Sequence, residues 1–155
     1  MVKRANKKLW CLKRLKRLGA TSKDLLDVYY KQIRSLLEFS VEVWHNNLTE
    51  SDRLKIERIQ KSALHIILDQ NYKSYNSALT FLKIDSLFAR RENLCKKFAM
   101  KSFKNPKFTS WFKPSTNFAP TRGIPTKFKA VNSRTERFEK SPISSLTNIL
   151  NSMSY

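Results

Sequence analysis

Apolar side chains recur at three- and four-residue spacing through most of the first hundred positions, which predicts a succession of amphipathic helices. The strongest pattern runs from Thr49 to Leu68. Ile56, Ile59, Ala63, Ile66 and Ile67 fall on one helical face, and beyond Lys61 the residues Ala63, Leu64, Ile66, Ile67 and Leu68 cover most of the circumference. A helix apolar nearly all round is usually buried, so this stretch is expected to be the central helix on which the others pack. Thr49 stands ready to cap it, with Asp52 three residues on as a shorter substitute for the Glu or Gln of a full capping box.

Taken in order, residues 4–18 read as a helix ended by Gly19, with Ala5, Leu9, Leu12 and Leu15 as a narrow apolar stripe. Across from the stripe lie Lys7, Trp10, Arg14 and Arg17, an aromatic ring set in a basic face. Two readings of Trp10 stand: a platform for a base beside phosphate-binding cations, or a ring packed on arginine stems or another helix. Thr21 or Ser22 begins the next helix, with Asp24 in its first turn. Leu26, Tyr29, Ile33, Leu37, Ser40 and Trp44 form its stripe, and Asp27 with Lys31 and Arg34 with Glu38 are four-residue charge pairs suited to a solvated face. On the central helix Arg58, Lys61 and His65 make a polar ridge, which fits either solvent or a phosphate backbone.

A break at residues 69–73 precedes a short helix through Tyr75, Ala78, Leu79 and Leu82. Residues 86–102 form a longer one, with Leu87, Phe88, Leu94, Cys95, Phe98 and Ala99 facing the core and Arg90, Arg91, Lys96, Lys97 and Lys101 on the surface. Regular structure is then expected to stop. Pro106, Pro114, Pro120 and Pro125 punctuate the next stretch, while Phe103, Phe108, Trp111, Phe112, Phe118, Phe128 and Phe138 are more aromatics than a disordered tail carries. An extended strap held by aromatic anchors, ending in a helical piece around Ile143 to Leu150, fits both facts.

Charge changes the picture from scaffold to binder. The chain has 155 residues with 31 Lys and Arg against 12 Asp and Glu, a formal net charge of +19. Such a balance implies a polyanionic partner, either nucleic acid or an anionic membrane. Residues 1–23 hold Lys3, Arg4, Lys7, Lys8, Lys13, Arg14, Lys16, Arg17 and Lys23 and no acid, a start also similar to a mitochondrial presequence, although Lys outnumbers Arg and Ser is scarce. No run of about eighteen apolar residues suggests a membrane span.

Candidate chemistry is thin. Cys11 and Cys95 lack C-x-x-C spacing, so neither a disulfide framework nor a zinc site is expected, and His45 has no ligand partner at suitable spacing. Asp24, Asp27, Asp52, Asp69 and Asp85 are dispersed, whereas two-metal phosphoryl transfer needs convergent carboxylates. The two glycines, Gly19 and Gly123, cannot build a phosphate-cradling loop or a nucleophile elbow. These residues predict no enzyme, no cofactor, no metal and no small-molecule substrate.

A run of motifs is more specific than any of this. L-K-R-L-K-R-L-G at 12–19, D-L-L-D-V-Y-Y-K-Q-I-R-S-L-L-E-F-S at 24–40, V-W-H at 43–45 and L-T-E-S-D-R-L-K-I-E-R-I-Q-K-S-A-L-H-I-I-L at 48–68 come first. Y-N-S-A-L at 75–79, S-L-F-A-R-R-E-N-L-C-K-K-F-A at 86–99, R-T-E-R-F at 134–138 and S-P-I-S-S-L at 141–146 follow. In this order they resemble the region after the polymerase palm in reverse transcriptases of non-LTR retrotransposons of the jockey type. The resemblance implies that the first helices correspond to the thumb, which grips the template-primer duplex, and the rest to a C-terminal extension. It also implies that the palm with its metal-binding aspartates would lie upstream. The family commonly has proline where this chain has Ser35 and Glu42, and basic residues where it has Ser62 and His65, which is the pattern of an eroded element copy.

Together these readings predict an all-α protein: a basic helical bundle over residues 1–102 and an irregular, aromatic-anchored basic region over 103–155. Its function would be to bind RNA or an RNA–DNA duplex in a nuclear or cytoplasmic, reducing compartment. Lys7, Lys13, Arg14 and Arg17 would contact the backbone, Trp10 would stack, and Arg58 and Lys61 would add secondary contacts. The rival expectation is a membrane-directed or mitochondrially imported protein that uses residues 1–18, and a third is a small basic protein of a ribonucleoprotein.

Overall fold

The computed structural model describes residues 1–115, 128–129 and 134–153. Among them the fold is all-α: the regular elements are helices, and the one β pairing is an isolated antiparallel bridge between Pro114 and Phe128. Packing divides the chain into two compact units, one made of Met1–Ser40 and Leu48–Arg90, the other of Val41–Asn47 and Arg91–Tyr155. The boundary expected at 102/103 falls inside the second unit.

In the first unit, α1 spans Val2–Arg17 and buries Ala5 and Leu12. Its end is a Schellman motif. Gly19 takes φ +88°, a backbone position that favours glycine, so that its N–H reaches Lys16 O and the N–H of Ala20 reaches Leu15 O. The next helix, α2 over Ser22–Val28, starts in a full capping box: the Thr21 hydroxyl accepts from the Asp24 N–H, and the Asp24 carboxylate accepts from the Thr21 N–H.

The expected long helix to Trp44 is not continuous. α2 passes into a π-helical turn, Tyr29–Arg34, then a short α3 over Ser35–Glu38, and the chain breaks at Phe39 and Ser40, where φ is +49° at Ser40. The buried positions explain the turn. Leu25, Tyr29, Ile33 and Leu37 are spaced by four, and in a straight α-helix each such step drifts about 40° around the axis. A wider turn with i→i+5 bonding offsets that drift and keeps the four side chains inward. Leu26, expected in the stripe, is half-buried, and Ser40 is exposed.

α5, Glu50–Leu68, is the central element of this unit and packs on α1, α2 and α6, the last spanning Tyr75–Leu82. Ile56, Ile59, Ala63, Leu64, Ile67 and Leu68 are buried, and Ile66 is half-buried. Thr49 caps it as expected, accepting from the Asp52 N–H, while the Asp52 carboxylate accepts a hydrogen bond from the Thr49 hydroxyl. The sequence reading missed Gln60, which is 1% exposed at the centre of the apolar face. Its amide accepts from the Leu87 N–H at 2.8 Å and donates to Asp85 O at 3.0 Å, and its oxygen lies 2.7 Å from the Tyr75 hydroxyl, whose one proton it shares with Glu57. One buried side chain thus satisfies the start of α7, which spans Leu87–Lys104.

In the second unit α4, Val41–Trp44, packs on α9, Pro142–Ser152, and a small α8 covers Glu136–Glu139. A 3-10 turn over Pro106–Trp111 follows α7. The core joins Ala99, Phe112, Phe128, Leu146 and Leu150, with Phe98, Phe108, Trp111 and Ile149 packed against it. Phe103, Phe112 and Phe128 meet at ring separations of 5.3 to 6.2 Å, inside the range for aromatic pairs. Asn151 holds Phe128 as a neighbouring strand would, accepting from its N–H at 2.9 Å and donating to its carbonyl at 3.1 Å. Phe138 is 48% exposed and anchors nothing in this core, and Phe118, Pro120 and Pro125 lie outside the described residues. Arg91, expected on the surface, is fully buried.

Replacing Gln60 by leucine keeps the volume but leaves the Leu87 N–H without its acceptor. Gln60→Leu is expected to destabilise the chain by about 1–3 kcal/mol, read as a lower denaturant midpoint. An unchanged midpoint would show that the network contributes nothing.

Candidate nucleic-acid interface

Burial of Ala5 and Leu12 fixes which side of α1 meets solvent, because side chains on one helix keep a fixed angular relation. Lys7, Trp10, Lys13, Arg14 and Arg17 all lie exposed on the outward side. Trp10 is 60% exposed, so it is not a core residue of this unit, and the Arg14 guanidinium carbon lies 5.4 Å from its ring centroid. That distance is within cation–π range, which pairs the ring with a charge along the helix surface. Of the two readings of Trp10, packing on an arginine stem and availability to a ligand therefore hold together: Arg14 lies by the ring, and most of the side chain stays in solvent.

The cations differ in what already holds them. The side chains of Lys7, Lys13, Arg17, Arg58 and Lys61 make no hydrogen bond or ion pair with another described residue. Others are committed. Arg90 forks onto Glu38 with contacts of 2.5 and 3.1 Å, and the carboxylate beside it holds the guanidinium protonated even more firmly than usual. Arg34 also reaches Glu38, at 3.8 Å, and lies 4.0 Å from the Tyr30 ring centroid. Lys31 pairs with Asp27 at 3.5 Å, as the four-residue spacing predicted. Lys16, on the inner edge of α1, pairs with Asp69 at 3.9 Å.

On α5, Arg58 and Lys61 are exposed, as is His65, whose ring lies 4.9 Å from that of Tyr72. The α1 residues form one group around Trp10; Arg58 and Lys61 form another, one turn apart on α5. No described contact joins the two groups.

Chemistry of other kinds has little to stand on. Among the described residues no group of three or more His, Cys, Asp or Glu could hold a metal ion, and no helix is long and apolar enough to cross a membrane. Burial pushes the Cys95 thiol up to about 11, so it stays protonated at neutral pH, while Cys11 is exposed on α1. Burial likewise raises the Tyr29 and Tyr75 hydroxyls above the usual tyrosine range, in Tyr75 with the help of a 2.7 Å hydrogen bond to Glu57. Neither is poised to give up a proton.

The residues the sequence reading missed here are those of the Glu38 cluster and the exposed Phe39. The first had half a signal, the Arg34 to Glu38 spacing; its third member, Arg90, comes from another helix. Comparison with protein-family models, with curated protein sequences and with solved structures found no match.

Proposed function

We propose that this chain is the thumb and post-thumb part of a reverse transcriptase of the non-LTR retrotransposon class, and that it grips RNA or an RNA–DNA duplex through the outward face of α1. The family half of the reading is supported by the order of sequence motifs from L-K-R-L-K-R-L-G to S-P-I-S-S-L. The binding half is carried by one observation: an exposed Trp10 with Arg14 against it, among cations that no described acid neutralises. Unpaired Lys and Arg side chains release counterions from a nucleic acid without first giving up an ion pair, which favours Lys7, Lys13 and Arg17 over Lys31 or Arg90. Arg58 and Lys61 are secondary contacts. The role is to bind and position, with polymerase chemistry supplied by a palm elsewhere, in the nucleus or cytoplasm.

The membrane reading fits less well. A helix lying on lipid inserts its apolar face, and in the folded unit Ala5 and Leu12 are 0% exposed against α5. Docking of α1 on a bilayer would therefore require the first unit to open.

If about five phosphates are neutralised, the logarithm of affinity should fall with the logarithm of salt at a slope near -4.5 on duplex DNA, about 0.9 per contact. Affinity that ignores salt contradicts the electrostatic account. Trp10→Ala should weaken single-strand binding by roughly 1–3 kcal/mol, and unchanged affinity would remove Trp10 from the interface. The origin has its own test in the DNA upstream of the first codon. A frame encoding a palm with adjacent aspartates, intact or interrupted, is expected; unrelated sequence contradicts the family assignment.

A further inference from the structure

The second unit carries unopposed charge of its own. Between Glu92 and Glu136 the sequence contains no acid, and every described cation from Lys96 to Lys129 is a lysine. Two of these lysines are brought together by the fold. Pro114 pairs with Phe128 in the antiparallel bridge, and beside it the Lys129 N–H donates to Lys113 O at 2.9 Å. Lys113 and Lys129 therefore stand directly opposite one another. Side chains in that relation leave the pairing on the same side, with Cβ atoms about 4.5–5.5 Å apart. Both lysines are exposed, and neither side chain makes a hydrogen bond or ion pair with another described residue.

Like charges opposite one another across a β pairing repel, so other contacts must hold them there. The neighbouring phenylalanines do. Phe112 and Phe128 are 5% and 6% exposed with ring centroids 5.9 Å apart, and Phe103 of α7 adds its ring at 6.2 Å from the first and 5.3 Å from the second. Asn151 of α9 clamps the Phe128 backbone through two hydrogen bonds. A buried aromatic core thus fixes two neighbouring ammonium stems with no acid to neutralise them. We propose that this lysine pair is a nucleic-acid backbone site of the second unit, in which Lys113 and Lys129 take two neighbouring phosphates of one strand. The proposal rests on the reading of the chain as a nucleic-acid binder, but not on α1 or Trp10. Lysine is a compact point charge without the planar fork that arginine presents, which suits contact with phosphates irrespective of base sequence. Nucleic acid is favoured over lipid because Phe112 and Phe128, the large apolar residues beside the pair, are buried in the core and not free to insert.

The test is an anisotropy titration of the full chain with a fluorescent DNA duplex, across a salt series. Two phosphate contacts from the pair steepen the salt dependence beyond that of the first unit. Lys113→Gln combined with Lys129→Gln should therefore flatten the slope of log affinity against log salt by about 1.8, from about 0.9 per contact on duplex DNA. Lys113→Arg with Lys129→Arg keeps both charges and should keep the slope. Lys73→Gln with Lys83→Gln removes the same charge from exposed positions of the first unit and should leave the slope nearly unchanged. Equal flattening by the two glutamine pairs would assign the effect to net charge and overturn the site. Relief of repulsion predicts that the Lys113 and Lys129 glutamine variant is at least as resistant to denaturant as the unsubstituted chain; a lowered midpoint contradicts the opposed pair. If Trp10→Ala weakens binding while the pair variant keeps the full slope, the lysine-pair site fails and the outward face of α1 stands. If the pair variant flattens the slope and Trp10→Ala changes nothing, the pair stands and the Trp10 face falls. Absence of binding by the unsubstituted chain removes both. Vesicles of phosphatidylcholine and phosphatidylserine serve as the control. Loss of vesicle binding in the pair variant, with the duplex slope unchanged, would assign the pair to lipid and overturn the proposal.

Discussion

The arrangement of the first unit depends on the burial of a narrow stripe, Ala5 and Leu12 with the flanks of Leu9 and Leu15, where α1 meets α5. An isolated helix of this composition would resist forming. Arg4 with Lys8, Lys3 with Lys7 and Lys13 with Arg17 are like charges four residues apart, each costing about 0.2–0.5 kcal/mol, and no acid lies among them. Burying one leucine side chain contributes about 1.5–3 kcal/mol, so Leu12 alone offsets several such pairs. Once the stripe is inside, the positions of the cations and of Trp10 on the outside are no longer free to vary. A bound polyanion would relieve the repulsion that remains, so under the proposed function binding would stabilise α1.

Net charge by itself says little about where a polyanion lands. The acids of the first unit draw particular cations into the fold: Glu38 takes Arg34 and Arg90, Asp27 takes Lys31, and Asp69 takes Lys16. Those pairs set helices against one another or line their edges. What they leave over is concentrated on the outward face of α1, where no acid occurs within the helix. The second unit is organised differently, around a knot of phenylalanine rings with Asn151 as its polar clamp.

Much of this was legible in the sequence wherever local chemistry decides the outcome. The stripes of α1 and α5, the cap at Thr49, a helix start at Thr21 or Ser22, the stop at Gly19 and a terminal helix around Ile143 to Leu150 follow from spacing and capping residues alone. The π turn and the break at Ser40 were not legible, because a four-residue spacing reads as an ordinary helix until its drift is followed over several turns. Gln60 left a faint signal, an amide amid apolar neighbours, but its partners Tyr75, Asp85 and Leu87 are distant in sequence. Arg91 read as surface charge and is buried, since helical spacing does not say which neighbours cover a helix on its second side. For the candidate interface, the identity of the residues was readable and their freedom from ion pairs was not. Nor was the opposition of Lys113 and Lys129, which depends on a backbone pairing between separated stretches.

Under the proposed function, packing on α5 turns α1 into the nucleic-acid contact. Photo-crosslinking the folded chain to RNA carrying 4-thiouridine, with the modified peptides identified by mass spectrometry, tests it most directly. Crosslinks are expected to concentrate in Val2–Arg17, with Trp10 among the modified residues. Crosslinks concentrated instead on Lys96, Lys97 and Lys101 of α7, with α1 unmodified, would contradict it.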